Sequence, residues 1–238
     1  MLFLMMVGLS GAALSQNLFR PFDRIYFNKF LQLEGRKFST SRNHVIWALD
    51  IQSQKNINRD LLRAYLCKIC PETEEADFLL DDFATFHNAW RQMLIGGLKQ
   101  CALILKPGVH NLDPDWLEKL NKAYSQQVKA FDDIDLVVAD CIISLQEWIS
   151  LGRQVSTSAQ AVTWLVGVSF LGAPVLTSLA ADIAKWTGIG ALITSADVGA
   201  PVSVGDRPLP AITGEDVNVF DLEKLVSSLG PSKMEEPT

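Results

Sequence analysis

The stretch DPDWLEKLNKAYSQQVKAFDDIDLVVADCIISLQEWISLG, residues 113–152, decides the fold class of this chain. Asp113 and Pro114 form a helix start signal, because aspartate caps a helix N-terminus and proline suits the first helical position. Apolar side chains then recur at steps of three and four, without an intervening glycine or proline, up to Gly152. They are Leu117, Leu120, Tyr124, Val128, Phe131, Ile134, Val138, Cys141, Leu145 and Trp148. This spacing predicts one long helix, or two nearly collinear helices.

A second stripe of the same period lies upstream, after the acidic entry Pro71–Glu75. Its members are Leu80, Phe83, His87, Trp90, Leu94, Leu98, Cys101 and Leu105. Because a short link containing Pro107 and Gly108 separates the stripes, we expect them to form a long antiparallel hairpin. Further helices are predicted at residues 17–33, 58–68 and 216–229. Without any run of alternating apolar and polar residues, the sequence predicts an all-α helical bundle built on this hairpin.

Two uncharged stretches flank the hairpin. Residues 1–19 contain no ionisable side chain, and residues 154–181 are uncharged and continue into a shorter apolar piece ending at Ser195. The predicted organisation therefore has four parts. These are an apolar N-terminal helix at 1–19, acting as an anchor or an uncleaved signal-like segment, a helical bundle at 20–153, an apolar helical pair at 154–197, and a Gly/Pro-containing linker with a terminal amphipathic helix at 198–238.

The charge order at the N-terminus favours membrane association. Residues 20–42 carry six bases against two acids, and these bases follow the apolar run, whereas a secretory signal places its positive charge first. The positive-inside rule then favours a body on the cytoplasmic side. We therefore expect a non-enzymatic, membrane-associated or membrane-inserting protein. Lipid contact is expected of Leu2, Phe3, Leu4, Val7, Leu9, Arg20, Arg24, Lys29, Trp164, Leu165, Phe170 and Leu171.

Two alternatives stay open. Helices at the centre of a bundle are also apolar on all sides, so the chain could be a soluble structural or assembly subunit with both apolar stretches buried at subunit contacts. The terminal helix would then dock on another subunit, or on a second copy, through Val219, Leu222, Leu225, Val226 and Leu229. Small residues before Gln16 also allow secretion after cleavage near Ser15.

The sequence indicates no enzyme chemistry. His44, His87 and His110 are far apart, and neither a zinc-protease pattern, a nucleophile elbow nor a phosphate-binding glycine loop occurs. Cys67 and Cys70 form a C-x-x-C without a readable strand before it. We expect no catalytic residue, cofactor, metal or small-molecule substrate, and partners limited to lipid and protein. A net charge of −6 argues against a nucleic-acid-binding protein.

Overall fold

The computed structural model describes residues 28–72, 74–132, 137–188, 201–204, 206 and 208–227. These residues are mostly helical, in agreement with the coarse prediction. The helices are α1 (Ala48–Ser53), α2 (Arg59–Lys68), α3 (Leu80–Ile104), α4 (Pro114–Asp132), α5 (Val138–Ser150), α6 (Ser158–Gly172), α7 (Thr177–Thr187) and α8 (Val219–Ser227), with a 3₁₀ turn at Leu151–Gln154. The division at residues 19, 153 and 197 stays a prediction.

Among the described residues, five short strands correct the prediction of a purely α chain. They are β1 (Leu31–Leu33), β2 (Arg36–Lys37), β3 (Ala76–Phe78), β4 (Gly108–His110) and β5 (Val202–Val204). One sheet has the order β2-β1-β3, with β1 antiparallel to β2 and parallel to β3, and β4 pairs with β5 in a second sheet. Strands of two or three residues are too short for an alternating pattern to be visible in sequence. The helix predicted over 17–33 is wrong at its described end, which is β1.

The long hairpin is arranged differently from the prediction. Helices α4 and α5 are not collinear but pack extensively on each other, whereas α3 packs on α2, α5, α6 and the 3₁₀ turn. An apolar residue every three or four positions suits two facing helices as well as one continuous helix, so the stripe alone does not distinguish the two arrangements. Phe131, expected in the stripe, is 40% exposed.

Helix α6 lies at the centre of the core, against α3, α4, α5 and α7. Trp164, Leu165, Val168 and Leu171 are completely buried. The uncharged stretch is therefore apolar on all sides because other helices surround it. Among the described residues, no helix is both long and apolar enough to cross a membrane.

Residues 213–217, which we call the strap, hold the C-terminal part to the N-terminal helices. The Asn58 side-chain amide donates to both the backbone carbonyl and the hydroxyl of Thr213, each at 3.0 Å. Asn88 donates to the carbonyl of Val217 at 2.9 Å and accepts from its amide at 2.7 Å. The segment predicted as a linker is thus bound to α2 and α3.

Arg91 and Gly214 complete the attachment of the strap. The Arg91 guanidinium donates to the Gly214 carbonyl and to the Asp216 carboxylate, both at 3.0 Å. Gly214 has φ = 96°, and a Cβ there would lie 2.8 Å from the carbonyl oxygen of Asn56, so only glycine fits this crossing. Helix α8 follows and packs on α3.

Candidate functional site

The β1–β2 hairpin turns at two consecutive residues with positive φ, Glu34 at 50° and Gly35 at 70°. This is the backbone of a type I′ turn, which matches the twist of a hairpin. The Gly35 amide donates to Asp77 Oδ2 at 2.6 Å, and Glu34 Oε1 accepts from the Leu80 amide at 2.6 Å. Glu34 thereby satisfies a free donor at the N-terminus of α3, where negative charge is favoured. The turn is fixed to both β3 and α3.

Residues 36–42, which we call the basic loop, follow this turn. They read RKFSTSR and combine three cations with three hydroxyls. The loop closes where Ser39 and His44 exchange two backbone hydrogen bonds of 2.9 Å. The buried His44 imidazole donates from Nε2 to the Leu33 carbonyl at 2.6 Å. Both ends of the loop are therefore anchored to β1, while Arg36, Lys37 and Arg42 are exposed.

The basic loop concentrates positive charge in an acidic protein. Residues 28–44 contain four bases and one acid, whereas the whole chain carries −6. Neither Arg36, Lys37 nor Arg42 forms an ion pair with a carboxylate in the described part of the chain. Arginine, lysine and serine or threonine hydroxyls are the side chains that most often contact phosphate oxygens. The loop is thus suited to bind a phosphate-bearing ligand.

An exposed aromatic ring lies next to the loop. Phe30 precedes β1 and keeps 63% of its surface exposed, with Lys37 Nζ 5.3 Å from its ring centroid. Gln32 pairs directly with Lys37 across the hairpin, so Phe30, Gln32 and Lys37 share one face of the sheet. On its inner side the loop packs Phe38 beside Ile46 and Ile51, lining an apolar cavity of about 450 Å³.

The residues expected to contact lipid do not form one surface. Trp164, Leu165 and Leu171 are completely buried and Phe170 is partly buried, because α6 is a core helix. Lys29 is exposed beside β1. The other members, Leu2, Phe3, Leu4, Val7, Leu9, Arg20 and Arg24, lie outside the described residues.

The residues expected to dock on a partner face the core of this chain. Leu222 and Leu225 are 3% and 7% exposed, and Val219 and Val226 pack against the same cluster. Leu229 lies outside the described residues. The terminal helix is amphipathic because its apolar side covers α3, and this surface is occupied within the chain itself.

The cysteines are free thiols in ordinary buried or half-buried positions. Burial raises the pKa of Cys101 to about 12 and that of Cys141 to about 11, and it also raises the pKa of Cys67 and Cys70. In the part of the chain that the structure describes, no three His, Cys, Asp or Glu side chains are grouped as metal ligands.

Sequence reasoning missed the basic loop. Its signal was present as a Glu-Gly turn followed by three cations and three hydroxyls within seven residues. The apolar run before these bases favours instead their interpretation as a membrane-facing flank, because such a run suggests contact with lipid.

Comparison with known proteins connects this loop to an enzyme family. Residues 9–98 match the family model described as tRNA synthetases class I (M). The methionine–tRNA ligase of Pyrococcus abyssi is 35% identical over 120 residues, which cover 44% of this chain and 16% of that protein. The ligase of Cytophaga hutchinsonii is 36% identical over 83 residues, covering 35% and 12%. That of Thermococcus onnurineus is 48% identical over 65 residues, covering 27% and 8%. The chain thus spans at most about a sixth of these relatives.

These similarities overturn several predictions. The relatives are ligases that act on tRNA, so the prediction of a non-enzymatic membrane or assembly protein, without a nucleic-acid or small-molecule partner, was wrong. The predicted membrane localisation was also wrong, as was secretion after cleavage near Ser15. The family match begins at residue 9 and runs through both the supposed anchor and the supposed cleavage point.

Proposed function

We propose that this chain takes part in joining methionine to tRNA, and that its basic loop binds phosphate groups of the tRNA. The observation that carries the proposal is the family match over residues 9–98. The matched range includes the β1–β2 hairpin, the basic loop, α1, α2 and most of α3. The relatives named above are methionine–tRNA ligases that match only part of this chain. The activity, substrates and partners of the whole ligase are therefore part of the proposal.

The geometry of the loop supports a role in binding rather than in proton transfer. Its cations are exposed, and the residues on either side of it are fixed, since the Gly35 amide donates to Asp77 and the His44 imidazole donates to the Leu33 carbonyl. Ser39 and His44 also exchange two backbone hydrogen bonds. A fixed backbone reduces the conformational entropy lost when phosphate is bound. Charge-assisted hydrogen bonds from guanidinium and ammonium groups to phosphate are shorter and stronger than neutral ones. Ser39, Thr40 and Ser41 add hydroxyl donors between the cations.

We further propose that α3–α8 form one all-α bundle that supports this hairpin. The buried α6, which contacts α3, α4, α5 and α7, supports this arrangement. Glu34 connects the two parts, because it accepts from the first amide of α3 while belonging to the hairpin turn. The long helix would then set the orientation of the loop relative to the bundle.

Binding of the full chain to a methionine-accepting tRNA tests the proposal. Filter binding between about 50 and 200 mM NaCl should give a linear decrease of log affinity with log salt, because bound cations release counterions from the phosphates. The double variant Lys37→Gln/Arg42→Gln should bind more weakly and lower the slope by roughly 1 to 2.

Lys185→Gln is the matched control. Lys185 is an exposed lysine on α7, outside the basic loop and outside the matched residues. Its variant should retain both affinity and slope. If the wild-type chain fails to bind tRNA at about 50 mM NaCl, or if the control and the double variant behave alike, the proposed function is wrong.

A further inference from the structure

We propose that the apolar cavity beside α2 binds a small amphipathic carboxylate, with the apolar body of the ligand inside the cavity and its carboxylate at Arg59. This is the cavity of about 450 Å³ that Phe38, Ile46 and Ile51 line in part. The inference does not rest on the proposed function, because it involves neither tRNA nor the cations of the basic loop.

Helix α2 presents two apolar faces. One face packs into the core through Leu61, Ala64 and Tyr65, which are at most 1% exposed. The residues of the other face are spaced three and four apart and line the cavity, and they are Arg59, Leu62, Arg63 and Leu66. Leu66 keeps 39% of its surface exposed. The second face is therefore less covered than the first, although half of its members are leucines.

The other walls of the cavity come from the segments around α2. Phe38 belongs to the basic loop and Phe78 to β3, while Ala48 and Ile51 belong to α1 and Ile46 shortly precedes it. Of the nine described lining residues, seven are apolar and two are arginines. Small-molecule sites are concave, enclose roughly 300–1,000 Å³, and combine mostly apolar walls with a few polar groups. The cavity has this form.

The charge of the cavity favours a ligand with a single negative charge. Among its described lining residues there is no acid. The Arg63 guanidinium is already engaged, because its Nη1 lies 3.4 Å from Asp60 Oδ1 and donates to the Val175 carbonyl at 3.3 Å. Arg59 forms no ion pair with a carboxylate in the described part of the chain. One guanidinium is thus left for a ligand carboxylate, which it can bind with charge-assisted, bidentate hydrogen bonds.

Arg59 also marks the polar end of the site. It is exposed, and it lines both the apolar cavity and a neighbouring polar cleft that Gln54, Lys55 and Asn58 share. A ligand that reaches Arg59 from the cavity can therefore bury its apolar body and keep its carboxylate in contact with water. Complete burial of the carboxylate would cost far more free energy. The arrangement selects an amphipathic ligand over a wholly apolar one.

Isothermal titration calorimetry of the full chain with octanoate and with octanamide tests the site. The two probes share one alkyl chain, and only octanoate is charged at neutral pH. Octanoate should bind more tightly than octanamide. Arg59→Gln should weaken octanoate binding about tenfold, because a hydrogen bond between charged groups is lost, and should leave octanamide binding unchanged. Lys185→Gln removes an exposed charge on α7 and should bind both probes like the wild type.

Leu66→Ala tests the apolar wall. The truncation removes contacts with the alkyl chain, so binding of both probes should weaken by a similar factor, roughly 3- to 10-fold. Leu66→Met retains an apolar wall and should bind like the wild type. Leu49→Ala is the matched control, because Leu49 is 77% exposed on α1 and does not line the cavity. This variant should leave the affinity for both probes unchanged.

Each outcome of the titrations supports or overturns the site. If the wild type does not bind octanoate at roughly 10 mM, the proposal is wrong. Equal affinities of the wild type and Arg59→Gln for octanoate would overturn the role of Arg59, and an unaffected Leu66→Ala would overturn the location. Retained binding of octanamide by Arg59→Gln, and of both probes by Leu66→Met, ensures that a loss of affinity does not reflect unfolding. None of these results affects the tRNA-binding test.

Discussion

The indole rings of Trp148 and Trp164 are bonded reciprocally, since Nε1 of each donates to the backbone carbonyl of the other at 3.1 Å. Both rings are buried, at 2% and 0% exposure. The two bonds satisfy both buried indole donors and fix α5 and α6 in one register. The glycines beside them leave the necessary space, because a Cβ on Gly167 would overlap the Trp148 ring.

Gly167→Ala should therefore destabilise the fold by roughly 1–3 kcal/mol, because the added methyl group forces the Trp148 ring out of its bonded position. Gly172→Ala in the same helix is the control. Its Cβ would meet its nearest neighbour, Leu176, at 3.5 Å, an ordinary contact, and alanine favours helix. Urea unfolding measures the stability of both variants. Equal midpoints would contradict the close packing of Gly167 against the Trp148 ring.

Asp60 should be the most important carboxylate for joining α2 to α7. It is 4% exposed and accepts from the amides of Ser178 and Leu179 at 3.0 and 2.9 Å. Asp60→Ala leaves the buried Leu179 amide and the part-buried Ser178 amide unpaired and should cost roughly 2–4 kcal/mol of unfolding free energy, with Asp60→Asn intermediate.

The exposed pair of Asp221 and Lys224 is the comparison for that measurement. Asp221 is bonded to Lys224 at 3.1 Å near the start of α8 and remains largely accessible to water. Asp221→Ala should cost less than about 1 kcal/mol in the same urea titration. A loss at Asp60 no larger than this would show that the α2–α7 junction does not depend on the carboxylate.

His87 should make stability depend on pH. Its imidazole is completely buried, and Nε2 accepts from the Asn58 amide at 3.0 Å. Burial lowers its pKa below the ordinary value, outweighing the hydrogen bond to Asn88, which raises it. The neutral form belongs to the folded state, so its stabilisation is complete above about pH 6.5 and is lost as the pH falls below that value.

Unfolding free energies between pH 8 and 5 should show this decrease, with a slope from one proton of at most about 1.4 kcal/mol per pH unit. His87→Gln offers an uncharged acceptor to Asn58 and should have a shallower pH profile than the wild type. Parallel profiles would assign the pH dependence to other groups.

Substitutions at Gly35 separate the backbone strain of the hairpin turn from steric overlap. Its φ is 70°, and an added Cβ would meet only Asp77 Oδ2, at 3.9 Å, so the space is open and only the backbone conformation is strained. Gly35→Ala should cost about 1–2 kcal/mol, whereas Gly35→Asn should cost less because asparagine tolerates this region. Thermal unfolding of both variants measures the difference, and an equal cost would indicate a steric cause.

Helix positions were predictable from sequence where a local signal marked both ends. The stripe beginning at Leu80 predicted α3 to within one residue, and Asn58 caps α2, as its place before the apolar residues indicates. The direction of packing was not predictable. The same stripe in residues 113–152 fits a continuous helix and a pair of facing helices.

The basic loop was not predicted from the sequence because its charge is local and its exposure depends on packing. A net charge of −6 averages over the whole chain and hides a local excess of bases in residues 28–44. Lipid and protein interior both select apolar residues, so the uncharged stretch around Trp164 could not distinguish them. Only packing shows that Trp164 is enclosed and Phe30 is not.

The strap has a consequence for the order in which the chain folds during synthesis. Asn58 and its partner Thr213 are separated by 155 residues. At 5–20 residues per second, the ribosome needs roughly 8–30 s to add that length. Helix α2 therefore leaves the ribosome long before the strap, to which Asn58 is bonded, has been synthesised. The hairpin with the basic loop can form early from local contacts, whereas attachment of the strap to α2 and α3 waits until residues 213–217 are translated.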